Sequence, residues 1–457
     1  MIKKLLIANR GEIAVRVIRA AKELGIKTVA IYSEVDKDCL HTILADEKIC
    51  VGPGPASESY LSIPNIISAC EATGADAVHP GYGFLAENTY FAEVCEACGI
   101  TFVGPTKENI QKMGDKIEAK NIAKKAGVPV VPGIEEAIDN PDDPELIKEI
   151  KKIGFPLIIK AALGGGGKGM RIVNSLDTFK ISLLTAMEES KKAFGSDKVY
   201  IEKYIEEPKH VEVQVLADKK GNVVYFPERD CSVQRRHQKL IEESPCPIVD
   251  ERLRRHLGRA AVKLCEEIEY VSAGTVEFIM DKKGNFYFME MNTRIQVEHP
   301  VTEMVSLIKK KKGLDLIKEQ ILIASGEKVG FSSDDVSIVG HAIECRINAE
   351  DTDKDFMPSP GKIEGLILPG GNGVRIDTHV YQGYAIPTFY DSLIAKLIVV
   401  GSNRNEAIKK MLRALDEFKI TGVKTTISFH KKVLQTQAFI EGDVSTNFLQ
   451  KYIYEQV

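Results

Sequence analysis

Several features that would classify a chain quickly are missing from these 457 residues. No apolar run is long enough to span a bilayer, which argues against a membrane-spanning helix. Neither charge dominates. Lys and Arg number 61 against 65 Asp and Glu, for a formal net charge of −4, so the balance gives no pull toward nucleic acid or an anionic membrane. No G-x-G-x-x-G follows the first strand, which removes the dinucleotide fingerprint. The glycines at 164–167 lack the Lys-Ser/Thr ending of a P-loop. Cys95 and Cys98 form a lone CxxC with no second pair and no histidine at zinc spacing, so packing is favoured over metal or redox use. All nine cysteines lie in apolar or helical contexts, as reduced thiols in a cytoplasm would. The opening Met1-Ile2-Lys3-Lys4-Leu5-Leu6-Ile7-Ala8 is cut short by Asn9-Arg10-Gly11-Glu12 and reads as a strand, not a signal peptide.

What is present is a long, ordinary globular composition, 44% hydrophobic and 28% charged, with length for two to four domains. Strands are expected at 5–8, 28–32, 77–79 and 101–103, and helices at 13–24, 60–73 and 90–98. That alternation predicts a parallel, Rossmann-like α/β sheet over 1–114. A helix around 116–127 runs into a linker at 129–132, and a second unit over 115–330 follows. Within it, a strand at 157–161, a glycine loop at 164–169, a strand at 170–173, a helix at 178–191 and a strand at 199–203 outline a lid spanning about 132–203. A third, β-rich unit with Pro/Gly turns is expected over 336–446, closing with helices, so the fold class is mixed α/β and α+β. The lysine run 309–312 is expected on a solvated helix surface.

Chemistry concentrates in Met289-Glu290-Met291-Asn292-Thr293-Arg294-Ile295-Gln296-Val297-Glu298-His299-Pro300. It follows the β-rich 275–280 across a turn at 281–285. Side chains alternate along a strand, so a hairpin there aims Glu277, Glu290 and Asn292 at one point, an oxygen-rich nest suited to Mg²⁺. Arg294, Gln296 and Glu298 continue the alternation as a fork for oxyanions, an amide and a candidate base. Upstream, Lys160 ends a strand before the glycine loop, whose small residues let backbone N–H groups approach phosphate oxygens. A loop between two strands suggests a flap that closes over a nucleotide and excludes water. Glu202-Lys203-Tyr204-Ile205 offers groups for adenine and ribose. His237 and Lys239 alternate in a segment too polar for a core, while Cys231 beside it reads as a small packed residue. The turn His79-Pro80-Gly81-Tyr82-Gly83-Phe84 is read equally as a plain tight turn or a backbone cradle for a ligand.

These strings together closely resemble biotin carboxylase, the ATP-grasp component of biotin-dependent carboxylases. The resemblance covers almost the whole chain. It rests on Ile7-Ala8-Asn9-Arg10-Gly11-Glu12-Ile13-Ala14, the 79–85 turn, the glycine flap, Glu228-Arg229-Asp230-Cys231-Ser232-Val233-Gln234-Arg235-Arg236-His237-Gln238-Lys239, the 290–303 segment, Gly340-His341-Ala342-Ile343-Glu344-Cys345-Arg346-Ile347-Asn348-Ala349-Glu350 and Pro358-Ser359-Pro360-Gly361. It implies that ATP phosphorylates bicarbonate to carboxyphosphate and that the carboxyl group passes to N1′ of biotin on a carrier. It also implies an ATP site of Lys116, Lys160, Gly166, Gly167, Glu202, Lys203, Ile205, His210, Gln234 and His237. Glu277, Glu290 and Asn292 would hold Mg²⁺ or Mn²⁺. Lys239, Arg294, Gln296 and the backbone at Val297 would cradle bicarbonate, Glu298 would be its base, and Arg346 would stabilise the biotin enolate. A homodimer is implied by the same analogy.

Two departures stand out. Family members run almost directly from Thr-Glu-Met (here Thr302-Glu303-Met304) to Gly-(Ile/Val)-Asp. Here Ser306-Leu307-Ile308-Lys309-Lys310-Lys311-Lys312 intervenes before Gly313-Leu314-Asp315. The lysines are a candidate docking point for an acidic carrier. No Met-Lys-Met biotinylation segment and no carboxyltransferase region follow, so a biotin carboxyl carrier and a carboxyltransferase subunit are expected in trans. Another ATP-grasp carboxylate ligase would share the ATP and metal logic but lack the Arg346 region. A non-catalytic nucleotide-binding subunit would lose Lys239, Glu298 or Arg346, and all three are present. The final acceptor is not readable: acetyl-CoA, propionyl-CoA, pyruvate and 2-oxoglutarate all fit.

Overall fold

The computed structural model describes residues 1–134, 138, 140, 143–161 and 170–454. The first strand, Lys4–Ile7, is apolar and buried along three of its four residues because it is the centre of a parallel sheet covered on both faces. The order across that sheet is Glu47–Gly52, Lys27–Ser33, Lys4–Ile7, Ala77–His79, Thr101–Phe102. Helices Gly11–Glu23, Ile63–Thr73 and Thr89–Ala97 connect it, within a residue or three of the expected bounds. Glu47–Gly52 was not expected. It is an edge strand whose apolar alternation is only Ile49 and Val51, after the exposed charges Glu47 and Lys48, and is too short to read.

The lid is a separate four-stranded antiparallel sheet in the order Gly133–Ile134, Val199–Lys203, Leu157–Ala161, Arg171–Val173. Helices Pro144–Ile153 and Leu176–Phe194 pack on it, burying Leu146, Ile150, Phe179, Leu183 and Ala186 with Leu157, Ile159 and Ile201 in a core of the lid's own. The expected glycine loop, 164–169, lies outside the described residues. Its flanking strands do form the expected hairpin, with Leu157 opposite Val173 and Ile159 opposite Arg171.

The rest hangs on one nine-stranded sheet. Its order is Phe286–Asn292, Ser272–Met280, Lys209–Ala217, Arg229–Arg235, Gln238–Ser244, His341–Asn348, Leu393–Gly401, Val374–Thr378, with Val223–Tyr225 beside Lys209–Ala217. The sheet runs without a break from the second region into the third. Gln238–Ser244 pairs with His341–Asn348, placing Glu242 opposite Glu344 and bringing Arg346 within reach of Glu298.

The lysine run corrects the sequence reading. Helix His299–Val305 ends before it, and Ser306–Ile308 pairs both with Lys312–Gly313 and with Val336–Ile338. The lysines form an exposed hairpin tip in which Lys309 and Lys310 adopt φ of 51° and 58°. The apolar Leu307-Ile308 finds an open strand edge at 336–338, and that pairing outcompetes another helical turn. No helix among the described residues is long and apolar enough to cross a membrane.

Candidate active site

A cavity of about 1000 Å³ opens between the lid, the nine-stranded sheet and the Tyr82-Gly83 turn of the N-terminal sheet. Every described residue of the expected site lines it: Lys116, Lys160, Glu202, Lys203, Ile205, His210, Gln234, His237, Lys239, Glu277, Glu290, Asn292, Arg294, Gln296, Val297, Glu298 and Arg346. Gly166 and Gly167 lie outside the described residues.

The floor is an unusual strand register. Lys209–Ala217 is buried along its whole length, yet it carries His210, Glu212 and Gln214 on alternate positions. Glu212 lies opposite Glu277, and Glu277 lies opposite Glu290 on the next strand. Three carboxylates in a row across three strands repel one another and require cations between them. Lys239 supplies one. Its Nζ lies 2.5 Å from Glu212, 2.9 Å from Glu277 and 2.6 Å from Glu298. Burial works against its charge, but those three carboxylates hold its pKa well above the ordinary lysine value. Lys239 can reach inward because Arg236 and His237 take left-handed conformations and turn the hairpin between Arg229–Arg235 and Gln238–Ser244 tightly.

Glu298 is gripped on both oxygens. Lys239 donates to Oε1, and Arg346 Nη2 donates to Oε2 at 2.9 Å. Burial alone would push its carboxyl up, but Lys239, Arg346 and Arg229 hold it well below the usual carboxylate range. Arg346 Nε is itself fixed on Glu242 at 2.6 Å. Glu242 is pushed up to about 7, first by burial, against the pull of Arg346, and further by the Glu298 charge. Arg294 is tethered too: Nε meets Glu87 at 2.8 Å, and Nη2 meets Asn292 Oδ1 at 2.9 Å.

The donor set expected for a divalent cation is assembled in part. Glu277 Oε1 accepts from Lys239, from Asn292 Nδ2 at 2.8 Å and from Gln296 Nε2 at 2.7 Å, while His210 Nε2 lies 2.8 Å from Oε2. Asn292 therefore turns its amide nitrogen toward Glu277 and its oxygen toward Arg294. Glu290 is in a different state: among the described residues it has no hydrogen bond or ion pair, and burial followed by the facing Glu277 charge raises its carboxyl. Two carboxylates in register, one of them without an ion pair of its own among the described residues, fit a hard divalent cation once Glu277 exchanges some of its donors for it.

At the other end, Glu202 on the lid takes Lys160 at 2.6 Å and also pairs closely with Lys120. Lys203 is not free: it donates to the carbonyls of Gly154 and Phe155 at 3.2 and 2.7 Å. His237 is lowered, first by burial and then by Lys160. Cys231 is buried, as expected of a packed residue, with its Sγ near the carboxylates of Glu212 and Glu298.

Sequence reasoning missed the supporting residues Glu87, Lys120, Glu212, Arg229 and Glu242. Arg229 is fully buried and fans out to Glu212 at 2.5 Å, Gln214 at 2.9 Å, Thr302 at 3.0 Å, Thr275 at 3.1 Å and Gln296 at 2.8 Å. The polar alternation His210-Glu212-Gln214 inside an apolar strand was a readable sign; Glu87 and Lys120 carried none.

A small antiparallel sheet facing a carboxylate- and lysine-lined cleft beside a Rossmann-like sheet is the arrangement of an ATP-grasp ligase. Residues 115–331 match the carbamoyl-phosphate synthase L chain ATP-binding domain, 1–110 the biotin carboxylase N-terminal domain, and 344–451 the biotin carboxylase C-terminal domain. Biotin carboxylase 1 of Bacillus subtilis is 55% identical over 453 residues, covering 99% of each chain. The Campylobacter jejuni biotin carboxylase–β,γ-ATP complex superposes with a TM-score of 0.93 at 49% identity, covering 99% of each chain. The biotin carboxylase domain dimer of Hydrogenobacter thermophilus 2-oxoglutarate carboxylase, in complex with MgADP, ADP and bicarbonate, gives 0.91 at 49% identity over 99% of this chain and 98% of that one. The chain belongs to the biotin carboxylase family, the ATP-grasp ligases that carboxylate biotin with bicarbonate at the expense of ATP.

Proposed function

We propose that the Glu298 end of the cavity takes bicarbonate and the lid end takes ATP, and that the reaction runs through carboxyphosphate. The convergence of Lys239 and Arg346 on the two oxygens of Glu298 carries this reading. Bicarbonate oxygen becomes a competent nucleophile when its O–H proton leaves, and a carboxylate within hydrogen-bond reach accepts it. Glu298 is ionised and ready, but its two cations make it a weak base. When bicarbonate enters, Lys239 and Arg346 turn part of their hydrogen bonding to the substrate, and the proton affinity of Glu298 rises as the proton is needed. The bicarbonate oxygen then attacks the γ-phosphorus and ADP leaves. Lys239, Arg294 and Gln296 hold the anion in line, with the backbone at Val297 completing the cradle.

Mg²⁺ or Mn²⁺, held by Glu277, Glu290 and Asn292, would supply charge neutralisation on the β- and γ-phosphates. On the nucleotide side Lys116, Lys160, the glycine loop with Gly166 and Gly167, Glu202, Lys203, Ile205, His210, Gln234 and His237 bind and orient ATP. In the second step, carboxyphosphate breaks its C–O bond to give CO2 and phosphate, the phosphate takes the N1′ proton of biotin, Arg346 stabilises the ureido oxyanion, and N1′ attacks the CO2. The biotin belongs to a carrier acting in trans, the product feeds a carboxyltransferase subunit, and the enzyme works as a cytoplasmic homodimer. The catalytic unit divides near 114 and 330–336.

The test supplies ATP, Mg²⁺, labelled bicarbonate and free biotin to the parent and to Glu298→Gln. The parent should form labelled carboxybiotin, and the variant should lose bicarbonate-dependent ADP release by about 10²-fold or more. ATP binding without label transfer in the parent would sink the reading. Capturing the biotinylated partner identifies the acceptor.

A further inference from the structure

Lys396 sits in the middle of strand Leu393–Gly401, opposite Arg346, and is 0% exposed. A buried ammonium is costly unless its partners are fixed. Its Nζ donates to the carbonyl of Val297 at 3.0 Å and pairs with Glu12 Oε2 at 3.1 Å. A third group, Asp377, is more distant at 3.9 Å and is already held by Arg375 through bonds of 3.0 and 2.7 Å. Glu12 lies in the first turn of helix Gly11–Glu23, and its other oxygen accepts from Tyr82 Oη, whose ring lines the cavity. Both Glu12 and Tyr82 come from sequence strings to which the reaction above gives no task.

The Val297 carbonyl belongs to the peptide that joins Val297 to Glu298. Fixing that peptide plane fixes the backbone from which the Glu298 side chain springs, while Lys239 and Arg346 fix the carboxylate at the far end. Without the first anchor, rotation of a single peptide would swing the carboxylate, and displacements of about 1 Å at a reacting group cost about a hundredfold. We propose that Lys396, held in place by Glu12, is a positioning residue for the bicarbonate end of the site: it clamps the Val297–Glu298 peptide and thereby aims Glu298. The first helix, strand Leu393–Gly401 and the turn bearing Glu298 are tied at this one ammonium. The inference rests on Glu298 acting as the base.

Lys396→Met alone would leave Glu12 charged and buried, so the test uses Lys396→Met with Glu12→Gln. This pair removes both charges, keeps an acceptor for Tyr82 and leaves Asp377 on Arg375. The full-length double variant should show kcat/KM for bicarbonate lower by about tenfold or more, read as bicarbonate-dependent ADP release. Its Kd for ATP should stay within about twofold of the parent, because no nucleotide-end residue is touched. Lys396→Arg, which keeps a cationic donor, should recover part of the loss. Should the double variant not fold, Glu12→Gln alone carries the same bicarbonate-selective expectation at smaller amplitude. A folded variant with parental bicarbonate kinetics overturns the proposal. So does an equal loss of ATP affinity, which would mark general loosening. Glu298→Gln measured alongside separates the failures: if it stays active the base assignment is wrong, and if it is inactive while the double variant is normal only the positioning role falls.

Discussion

The two ends of the cavity are built on opposite plans. The end proposed for the nucleotide hangs on a small sheet with its own apolar core, and the linker leading into it is pinned to the large sheet by Phe288 N–H donating to Pro129 O at 2.7 Å. Its described charges, Lys160 and Lys120 on Glu202, stay close to the lid and its hinge helix. The reaction end is built on strands that share two larger apolar cores, with Val213 and Phe278 in one and Leu240 and Ile343 in the other. It is a charge lattice laid across adjacent strands of one sheet, where Lys239 touches three carboxylates and Arg229 five partners. A unit that buries its own side chains can shift as a body at little cost. A lattice whose charges neutralise one another cannot lose a member without exposing another. On the proposed assignment, nucleotide binding falls to the unit with its own core and proton transfer to the charge lattice.

The contrast breaks most sharply at Lys239. Lys239→Met leaves Glu212, Glu277 and Glu298 facing one another, so both function and stability should suffer. Expected are a fall of about 10²- to 10³-fold in bicarbonate-dependent ADP release and a loss of about 3–5 kcal/mol in denaturant unfolding. A folded variant with near-parental stability would mean that the carboxylates share protons and need no cation. On the lid, Lys160→Met should behave differently, raising KM for ATP about tenfold while changing kcat by no more than about threefold. A kcat loss as deep as that of Lys239→Met would erase the distinction between the ends.

Much of this plan was legible in the sequence because it is local. Glu277, Glu290 and Asn292 fall on alternate positions of two strands joined by a short turn, so a period of two places them together. Arg294, Gln296 and Glu298 lie past the strand end at Asn292, in the segment leading to helix His299–Val305, and reach the same cavity without strand alternation. The parallel N-terminal sheet and the lid hairpin were equally readable from periodicity. What stayed hidden depends on long-range registry. Nothing around Glu242 or Lys396 signals that Gln238–Ser244 pairs with His341–Asn348, or that a lysine in an apolar strand meets the Val297 carbonyl. The lysine hairpin was misread for the same reason, since its strand partner lies at Val336–Ile338.

A pH experiment sharpens the comparison at intermediate scale. Glu303, on the helix that follows Glu298, bonds Arg16 at 3.0 Å, Arg375 at 2.7 Å and the Leu316 N–H at 2.8 Å. Burial would raise its carboxyl, but Arg16 and Arg375 lower it from 4.5 to about 2. Glu243 is likewise lowered to about 2, against burial, by His341 and Arg404. A depressed folded-state pKa stabilises above the unfolded value, and that stability fades as pH falls through the folded value. Thermal melts should therefore drop steeply between about pH 4.5 and 2, and Glu303→Gln should flatten that slope. Hydrogen exchange at pH 3 should open His299–Val305 before the lid helices. Lid-first opening would show that the charge lattice is not the acid-sensitive part.

The smallest effect is expected at Lys310, which with Lys309 turns the hairpin at positive φ. A non-glycine residue pays about 1 kcal/mol for that conformation, so Lys310→Gly should raise unfolding stability by up to about 1 kcal/mol, less the entropy glycine loses on folding. Bicarbonate and ATP kinetics with free biotin should not change, because the exposed tip contributes no side chain to the cavity. If KM for bicarbonate did move, the strain would have to pass through helix His299–Val305 to Glu298, and the rigid end of the site would reach as far as the hairpin. Replacing 309–312 with glutamine asks the complementary question of charge. Carrier affinity weakened at low salt but not at high salt would place the carrier against this tip, and affinity unchanged at low salt would leave the lysines as solvated surface.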